Sequence, residues 1–178
     1  MNATKEEVRK QIKRLSKALL LSEKRTFSEQ ALIKLENDPH FIQSAVVAMY
    51  WSLDDEVSTH TFIEKWSVFK TILLPVIHGD EMFFASFKGI DMLSLDKQFG
   101  IAEPKTSKAF ELNDIDLVVI PGLAFDAKNN RLGRGKGYYD KALKHCSAYK
   151  IGLCFPHQRV AYIPVEPHDI KLDKVISA

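Results

Sequence analysis

The segment Arg131–Asp140, with the sequence RLGRGKGYYD, alternates three glycines with two cations and leads into a helical pattern. Glycine lets the backbone approach a ligand closely and adopt a positive φ, and the free N–H groups at a helix start favour an anion. Arg134 and Lys136 would add charge-assisted hydrogen bonds to phosphate oxygens. This combination of glycines, cations and a helix start is typical of phosphate binding, although its spacing matches neither the Walker nor the Rossmann pattern. A flexible surface loop with solvated cations is the alternative.

Apolar strands expected around this segment place it where α/β proteins bind ligands. The run Asp116–Ile120 predicts a strand that ends at Pro121-Gly122, and a loop to about Gly137 separates it from a helix over Tyr138–His145. Further strands are expected at Ala45–Trp51, Thr71–Ile77, Met82–Phe87, Lys150–Phe155 and Val175-Ile176. Because these strands are apolar on both faces and alternate with helices, they predict a mostly parallel sheet. Such sheets bind ligands at the carboxyl ends of their strands, which points to the loop after Ile120.

Helical patterns dominate the first third of the chain. Thr4 and Glu7 have the spacing of a capping box, and apolar residues then recur at helical spacing to about Leu21. Lys5 and Arg9 lie four residues apart at the edge of this apolar stripe, so both could reach a pocket while the helix stays docked. Two solvated cations on an amphipathic helix are the alternative. Two more helices are expected, at about Glu23–Leu35, which Asn37-Asp38-Pro39 ends, and at Ser58–Phe69.

Composition narrows the class of protein. A length of 178 residues suits one compact domain, and we expect a single domain over residues 1–178. Lys and Arg total 25 against 23 Asp and Glu, and a net charge of +2 is too mild for a nucleic-acid binder. No apolar run reaches the ~18 residues of a membrane span, and the N-terminus lacks a signal-peptide pattern. Cys146 and Cys154 fit no zinc spacing, so we expect a cytoplasmic protein with reduced thiols.

The string from Asp116 to Asp140 resembles the signature of the 5-formyltetrahydrofolate cyclo-ligases, also called methenyltetrahydrofolate synthetases. That signature is a strand, Pro-Gly-x-Ala-Phe-Asp, a short turn and Arg-Leu-Gly-x-Gly-x-Gly-Tyr-Tyr-Asp, and every fixed position is present. Further matches are Lys5 and Arg9, the stretch from Trp51 to Glu56, Gly100–Pro104, Gln158 and His168–Asp173. The chain departs from the family pattern at three places, namely Lys141, the pair Asn129-Asn130 and Trp51. The resemblance therefore covers the full chain.

The resemblance implies a fold and a reaction. The fold would be a three-layer α/β/α arrangement with a mostly parallel sheet, similar to that of sugar-phosphate isomerases and CoA-transferases. The reaction would convert 5-formyltetrahydrofolate to 5,10-methenyltetrahydrofolate, with ATP as co-substrate and Mg²⁺ as cofactor. Transfer of the γ-phosphoryl to the formyl oxygen would let N10 close the ring and expel phosphate, which asks the protein mainly for positioning. We expect a monomer whose partners are small molecules, without nucleic acid or membrane.

The resemblance also implies site residues, which we carry over position by position. For ATP they are Lys5, Arg9, Arg131, Leu132, Gly133, Arg134, Gly135, Lys136, Gly137, Tyr138 and Tyr139. For the folate they are Trp51, Glu56, Arg134, Gly135, Lys136, Gly137 and Tyr138. For magnesium they are Asp140 and Asp169, with Asp173 ranked below them. An aromatic face can stack on a flat ring, and two carboxylates suit a hard cation.

Two other functions are compatible with parts of the sequence. A sugar-phosphate isomerase or CoA-transferase relative would share the fold and would not bind ATP, although fold analogy is weak support for a function. A non-catalytic nucleotide- or folate-binding module would also share the fold. The presence of Lys5, Asp140 and Asp169 argues against such a module, because a family member that had lost its activity should also have lost some of these residues.

Overall fold

Six strands form a central sheet in a computed structural model that describes residues 3–95, 100–106 and 108–178. The sheet strands are β1 (Val46–Ala48), β2 (Thr71–His78), β3 (Glu81–Ser86), β6 (Leu117–Ile120), β9 (Tyr149–Cys154) and β10 (Lys174–Ser177). Their order is β10-β9-β6-β1-β2-β3, and every neighbouring pair is parallel except β2 and β3. The mostly parallel sheet predicted from the apolar runs is confirmed.

Helices cover both faces of this sheet. The helices are α1 (Lys5–Ala18), α2 (Leu21–Glu36), α3 (Pro39–Gln43), α4 (His60–Trp66) and α5 (Tyr138–Ala142). Along β6, Leu117 and Val119 join the core under α2, α3 and α4, whereas Val118 and Ile120 join the core on the side of α5. This alternation is the period of two that a strand imposes on its side chains. It explains why β6 is buried on both faces and gives the three-layer architecture.

Helix α1 lies on a small hairpin rather than on the sheet. The hairpin joins β7 (Ala124–Phe125) and β8 (Arg131–Leu132) in antiparallel register. Val8 and Ile12 of α1 are buried against Ala124, Leu132 and Ile163 in a separate core cluster. Because these apolar contacts hold α1 beside the glycine-rich segment, its cations are brought to the same end of the sheet.

The hairpin corrects the expectation of an irregular loop from Pro121 to Gly137. Asp126 organises its turn, because Oδ1 accepts hydrogen bonds from the N–H groups of Lys128 at 2.9 Å and Asn130 at 3.0 Å. Asn129 adopts a φ of 62°, a conformation that asparagine tolerates better than most residues. Strands β7 and β8 have two residues each, which is too short for a period-two pattern to show in the sequence. The apolar runs therefore do not predict them.

Other boundaries differ from the sequence expectations. Asp38 caps α3, because its carboxylate accepts a hydrogen bond from His40 N at 2.9 Å. The Asn37-Asp38-Pro39 triplet, interpreted as a helix end, is also the start of the next helix, with Pro39 at its first position. A second short ladder, missed from the sequence, pairs β4 (Leu93–Leu95) with β5 (Ala102–Pro104). The capping box predicted at Thr4 is present.

Several of the expected elements are shorter than predicted, and the helix expected over Ser58–Phe69 is limited to α4. The strand expected over Ala45–Trp51 is confined to β1, and the helix expected over Tyr138–His145 is the single turn and a half of α5. Among the described residues, no helix is both long and apolar enough to cross a membrane.

Candidate active site

A cavity of about 530 Å³ opens beyond the carboxyl ends of β1 and β6. Its position follows from the chain, because Tyr50 and Trp51 come directly after β1 and Pro121 comes directly after β6. The site residues expected from the sequence line it, except Asp173, the lower-ranked magnesium candidate, whose carboxylate instead accepts a hydrogen bond from Lys150 N. The lining residues are Lys5, Arg9, Trp51, Glu56, Arg131, Leu132, Gly133, Arg134, Gly135, Lys136, Gly137, Tyr138, Tyr139, Asp140 and Asp169. The fold therefore brings residues from four separate parts of the chain to one cavity, while their individual roles stay predictions.

The glycine-rich loop, residues 133–137, needs glycine at two positions. Gly135 has a φ of 105° and Gly137 a φ of 71°, both in the region that L side chains rarely adopt. A Cβ added to Gly135 would lie 3.7 Å from the guanidinium of Arg9, so the loop backbone runs close to that cation. Arg9 also donates from Nε to the carbonyl oxygen of Gly133 at 3.0 Å. The loop backbone and its nearby cations, more than the short helix α5, therefore make the surface that suits an anion.

Lys5 bridges two carboxylates of the C-terminal segment. Its Nζ lies 2.6 Å from Glu166 Oε2 and 2.7 Å from Asp169 Oδ2. Burial by itself lowers the pKa of Lys5, but the hydrogen bonds to Asp169 and Glu166 outweigh it and raise the pKa. Burial likewise acts to raise the pKa of Asp169, and the hydrogen bonds from Lys5 and from the N–H of Glu166 lower it overall. Both groups are thus held in their charged forms.

Asp140 is bound by a second cation of the chain. Arg131 donates from Nη2 to both oxygens of Asp140, at 3.0 Å and 2.9 Å, and the side chain of Arg131 is 6% exposed. Oδ1 of Asp140 also accepts a hydrogen bond from Ile170 N at 3.1 Å. Arg131 Nε is buried without a hydrogen-bond partner among the described residues. This ion pair turns the Arg131 guanidinium toward Asp140.

Arg134 joins the glycine-rich loop to the loop that follows β1. Its Nη2 lies 2.5 Å from Asp55 Oδ1 and 2.9 Å from Glu56 Oε1. The other oxygen of Glu56 accepts a hydrogen bond from Leu53 N at 3.0 Å. Burial raises the pKa of Glu56, and the charge of Arg134 together with the Leu53 hydrogen bond opposes that shift without cancelling it. Glu56 is therefore a largely buried carboxylate that is paired with Arg134, and its remaining lone pairs can accept hydrogen bonds from a ligand.

Aromatic side chains line the remaining wall. The ring of Trp51 stacks on His60, with ring centres 4.1 Å apart and planes 13° apart. Tyr138 donates its hydroxyl hydrogen to the carbonyl oxygen of Gly79 at 3.2 Å. Burial raises the pKa of Tyr139, which therefore stays neutral. The ring of Tyr139 packs edge-on against Phe84, so its contribution is packing more than charge.

Sequence reasoning missed Glu166, which lines this cavity, and Asp55, which lies outside the lining and contacts it through Arg134. Glu166 pairs with Lys5, and Asp55 pairs with Arg134. The signal in the sequence that could have identified Asp55 is its position directly before Glu56. For Glu166 the signal was its spacing of three residues from Asp169, since the N–H of Glu166 donates to Asp169 Oδ2 at 2.8 Å.

The donor atoms near Asp169 have the chemistry of a hard-cation site. One donor atom each from Glu166, His168 and Asp169 lie within 4.8 Å of one another. Carboxylate oxygens are the ligands that Mg²⁺ accepts alongside water and phosphate oxygens. Asp140 belongs to the same neighbourhood, because the residue that it contacts, Ile170, directly follows Asp169. Lys5 neutralises Asp169 and Arg131 neutralises Asp140. The carboxylates therefore fit a magnesium ion that would take the place of one of these two side-chain cations.

Comparison with known proteins gives a consistent result. The sequence model of the 5-formyltetrahydrofolate cyclo-ligase family matches residues 1–178. A 5-formyltetrahydrofolate cyclo-ligase of Mus musculus is 32% identical, over 99% of this chain and 94% of the relative. One from Escherichia coli is 30% identical, over 93% of this chain and 96% of the relative. The solved structure of Aquifex aeolicus 5,10-methenyltetrahydrofolate synthetase superposes with a TM-score of 0.87 at 31% identity, covering 97% of this chain and 88% of that one.

Proposed function

The chain belongs to the 5-formyltetrahydrofolate cyclo-ligase family, and from that premise we propose that it uses ATP and Mg²⁺ to convert 5-formyltetrahydrofolate to 5,10-methenyltetrahydrofolate, with release of ADP and phosphate. The observation that carries this proposal is the single cavity lined by the expected ATP and folate residues and by Asp140 and Asp169. A reaction between two small molecules needs such a shared cavity, because effective molarity is gained only when both are held side by side.

The chemistry explains the need for a nucleotide. A formamide carbonyl is a poor electrophile, and its oxygen is a poor leaving group. Transfer of the γ-phosphoryl to that oxygen forms a P–O bond, breaks the bond between the γ-phosphorus and the β–γ bridging oxygen with ADP as the leaving group, and leaves an iminium carbon next to N5. N10 then attacks this carbon and the C–N bond forms. N10 loses its proton to solvent, and the C–O bond breaks with phosphate as the leaving group. The protein has to align the formyl oxygen with the γ-phosphoryl and neutralise charge.

The cations at the loop suit the phosphate end of the nucleotide. Arg9 and residues 133–137 line the cavity. Gly135 and Gly137, whose positive φ values suit glycine, place no side chain between the backbone and a ligand. Lys5 has a long, flexible side chain that is 20% exposed and can turn from the carboxylates toward a phosphate oxygen. These groups would hold the triphosphate by charge-assisted hydrogen bonds.

The half of the cavity near Glu56 suits the folate. The buried Glu56 carboxylate can accept hydrogen bonds from the ring N–H and the amino group of a pterin, while the ring of Trp51 offers an apolar surface for a flat ring. Arg134 contacts Glu56 and belongs to the glycine-rich loop, so it lies between the two halves. This position would bring the formyl group toward the phosphoryl group.

Asp140 and Asp169 would hold the magnesium ion, which when bound would neutralise phosphate charge as the phosphoryl group moves. The support for this assignment is the contact between Asp140 and the residue after Asp169, together with the neighbouring Glu166. The chain's own part is to hold these carboxylates beside the loop.

The direct test is turnover. Purified protein should form 5,10-methenyltetrahydrofolate from 5-formyltetrahydrofolate, as measured by the absorbance of the product, only when ATP and Mg²⁺ are both present. A thermal-shift titration with ATP–Mg²⁺ and with the folate is the companion measurement. Protein that binds ATP and the folate without forming product would be a binding module. Protein that does not bind ATP would contradict the proposal and favour a relative of the isomerases or transferases.

A further inference from the structure

The backbone at Gly122 lies where the central strand β6 ends at the active-site cavity. Ile120 is the last residue of β6, and Pro121 and Gly122 both line the cavity. A side chain has no room at this position, because a Cβ on Gly122 would lie 2.6 Å from Phe125 Cζ and 3.0 Å from Arg131 Cγ. Gly122 therefore offers a ligand its backbone alone.

The carbonyl groups next to the Gly122 N–H are both held by side chains. Arg131 donates from Nη1 to Pro121 O at 3.3 Å. Gln158 donates from Nε2 to Gly122 O at 3.0 Å, and its own Oε1 accepts a hydrogen bond of 2.8 Å from Phe155 N. Because Gln158 is 1% exposed, its amide group is fixed on both sides. The two peptide groups that flank Gly122 are therefore held in one orientation.

The N–H of Gly122 is left open. Within the parts of the chain that the structure describes, it makes no hydrogen bond, whereas the next N–H, that of Leu123, donates to Leu132 O at 2.8 Å. Most backbone N–H groups of folded proteins are paired, so an open one in a cavity wall needs an explanation. The peptide bond before Gly122 is trans, so this N–H points away from Arg131, toward which Pro121 O is directed. Gly122 thus has one free polar group, a donor with a fixed direction.

This donor is linked to the side of the cavity proposed for phosphate and magnesium. Arg131, which holds Pro121 O, also donates to both oxygens of Asp140, one of the carboxylates proposed for magnesium. Glu56, the carboxylate proposed for the folate, belongs to the loop after the neighbouring strand β1. The acceptor that reaches the Gly122 N–H should therefore be a phosphoryl oxygen.

We propose that the N–H of Gly122 donates a hydrogen bond to a γ-phosphoryl oxygen of ATP and stabilises the charge on that group during phosphoryl transfer, an inference that rests on the proposed function. Phosphoryl transfer spreads negative charge over the equatorial oxygens of the moving group. A donor that is oriented before the reaction stabilises such charge without having to reorganise. Arg131 and Gln158 supply that orientation by holding the two adjacent carbonyl groups.

The test observes the Gly122 amide in the wild-type protein by nuclear magnetic resonance. Among 7 prolines and 8 glycines, Pro-Gly occurs once, at Pro121-Gly122. Protein labelled with ¹³C at proline carbonyls and ¹⁵N at glycine nitrogens therefore gives one carbonyl-filtered amide signal. This signal should move downfield when Mg²⁺ and β,γ-methylene-ATP, which cannot transfer its γ-phosphoryl group, are added. ADP with Mg²⁺, which lacks that group, and 5-formyltetrahydrofolate alone should each leave the signal nearly unmoved.

Gly152 provides a matched control in the same sheet. The pair Ile151-Gly152 also occurs once in the sequence, so ¹³C at isoleucine carbonyls selects its amide in the same way. Gly152 belongs to β9 and does not line the cavity. The nucleotide analogue should therefore leave the Gly152 signal in place. Equal shifts of both signals would mean that the whole sheet responds to the nucleotide and would contradict a direct contact at Gly122.

The role in catalysis is tested by removing the N–H alone. Gly122→glycolic acid replaces the N–H with an ester oxygen and adds no side chain. Because this N–H has no partner in the described chain, the variant should fold, which circular dichroism verifies. We expect kcat to fall about a hundredfold, as when one preorganised donor is removed from an anionic transition state. The Kd of ATP should rise only about three- to tenfold, the scale of one neutral hydrogen bond. Gly89→glycolic acid, outside the cavity lining, is the control.

Three results would overturn the inference. One is a Gly122 signal that β,γ-methylene-ATP does not move. Another is a signal that the folate moves by itself, since the acceptor would then be a folate oxygen. The third is a wild-type kcat in the Gly122 ester variant. Turnover by the wild-type protein together with any of these results would refute only the Gly122 hydrogen bond, whereas a protein that does not bind ATP would refute the proposed function itself.

Discussion

The carboxylate of Asp140 accepts a hydrogen bond of 3.1 Å from the backbone N–H of Ile170, thirty positions further along the chain. This contact ties the end of the glycine-rich loop to the C-terminal segment and places Asp169 beside the loop. Asp140 at the same time binds Arg131, and Asp169 binds Lys5. The carboxylates expected to hold magnesium are therefore adjacent and are each neutralised by a cation of the chain.

Replacing either carboxylate should change the response to magnesium. Asp140→Asn and Asp169→Asn keep the side-chain size and remove the charge. Each should raise the magnesium concentration for half-maximal rate and lower the maximal rate, both by about tenfold or more, since one lost charge-assisted contact costs about 1.5–3 kcal/mol. Folate binding without nucleotide should change little.

The two variants should differ in stability. Asp140→Asn leaves the buried guanidinium of Arg131 without its partner, and breaking such a pair costs about 3–5 kcal/mol. Asp169→Asn affects a more exposed pair and should cost less. Rates are therefore compared at a temperature at which both variants are folded by circular dichroism. A variant that retains the wild-type magnesium dependence would show that its aspartate is structural.

Removing the ammonium of Lys5 should let the nucleotide-free protein bind a divalent cation. In Lys5→Met, Asp169 and Glu166 lose the Nζ that lies 2.7 Å and 2.6 Å from them, and two free carboxylates attract a hard cation. We expect Mn²⁺, followed by electron paramagnetic resonance, to bind about tenfold more tightly than to the wild type, while ATP binds more weakly. Lys10→Met, which removes an exposed lysine paired with Glu6, is the control. Unchanged Mn²⁺ affinity in Lys5→Met would contradict this competition.

Arg134 should matter for both substrates. Arg134→Ala removes a cation of the loop and leaves Glu56 buried beside Asp55 without their shared partner. We expect weaker ATP binding and a folate affinity that falls by about tenfold, the scale of one charge-assisted hydrogen bond. Lys136→Ala should weaken ATP binding with little effect on stability, since surface substitutions usually stay within about 0.5 kcal/mol. The kinetic constants of both variants measure these changes in binding. Wild-type constants in both variants would show that the loop contributes to the binding of neither substrate.

The buried Glu56 should give stability a distinct pH dependence. Burial raises its pKa above the ordinary value of 4.5. Between the ordinary pKa and the raised pKa the folded protein binds more protons than the unfolded chain, so this residue destabilises the fold progressively as pH rises through that window. Glu56→Gln abolishes the titration. The difference in unfolding free energy between variant and wild type should therefore grow in favour of the variant from about pH 4 upward and then level off.

Urea denaturation at a series of pH values measures this difference. Asp169 and Asp38, whose pKa values are lowered, contribute with the opposite sign, and subtracting the two proteins removes their contribution. A difference that is constant with pH would mean that Glu56 has the same pKa in the folded and the unfolded chain.

The sequence by itself determined the backbone conformation of the loop and the class of the fold. The alternation of glycines with Arg134 and Lys136 predicts an anion-binding backbone, and the positive φ that this prediction needs is a local property of Gly135 and Gly137. The buried run Leu117–Ile120 likewise predicts a strand covered on both faces. The family resemblance added the identity of the distant residues, which spacing alone does not reveal.

Only the tertiary structure decided which charges meet. Lys5 and Asp169 are 164 positions apart, and Arg134 and Asp55 are 79 positions apart. Their contacts depend on how Val8 and Ile12 of α1 pack against the β7–β8 hairpin and on where the loop after β1 ends. Packing of this kind sums many small, non-directional apolar contacts between distant segments. Local sequence patterns do not reveal such contacts, so the ion pairs and the active-site cavity become visible only in the folded chain.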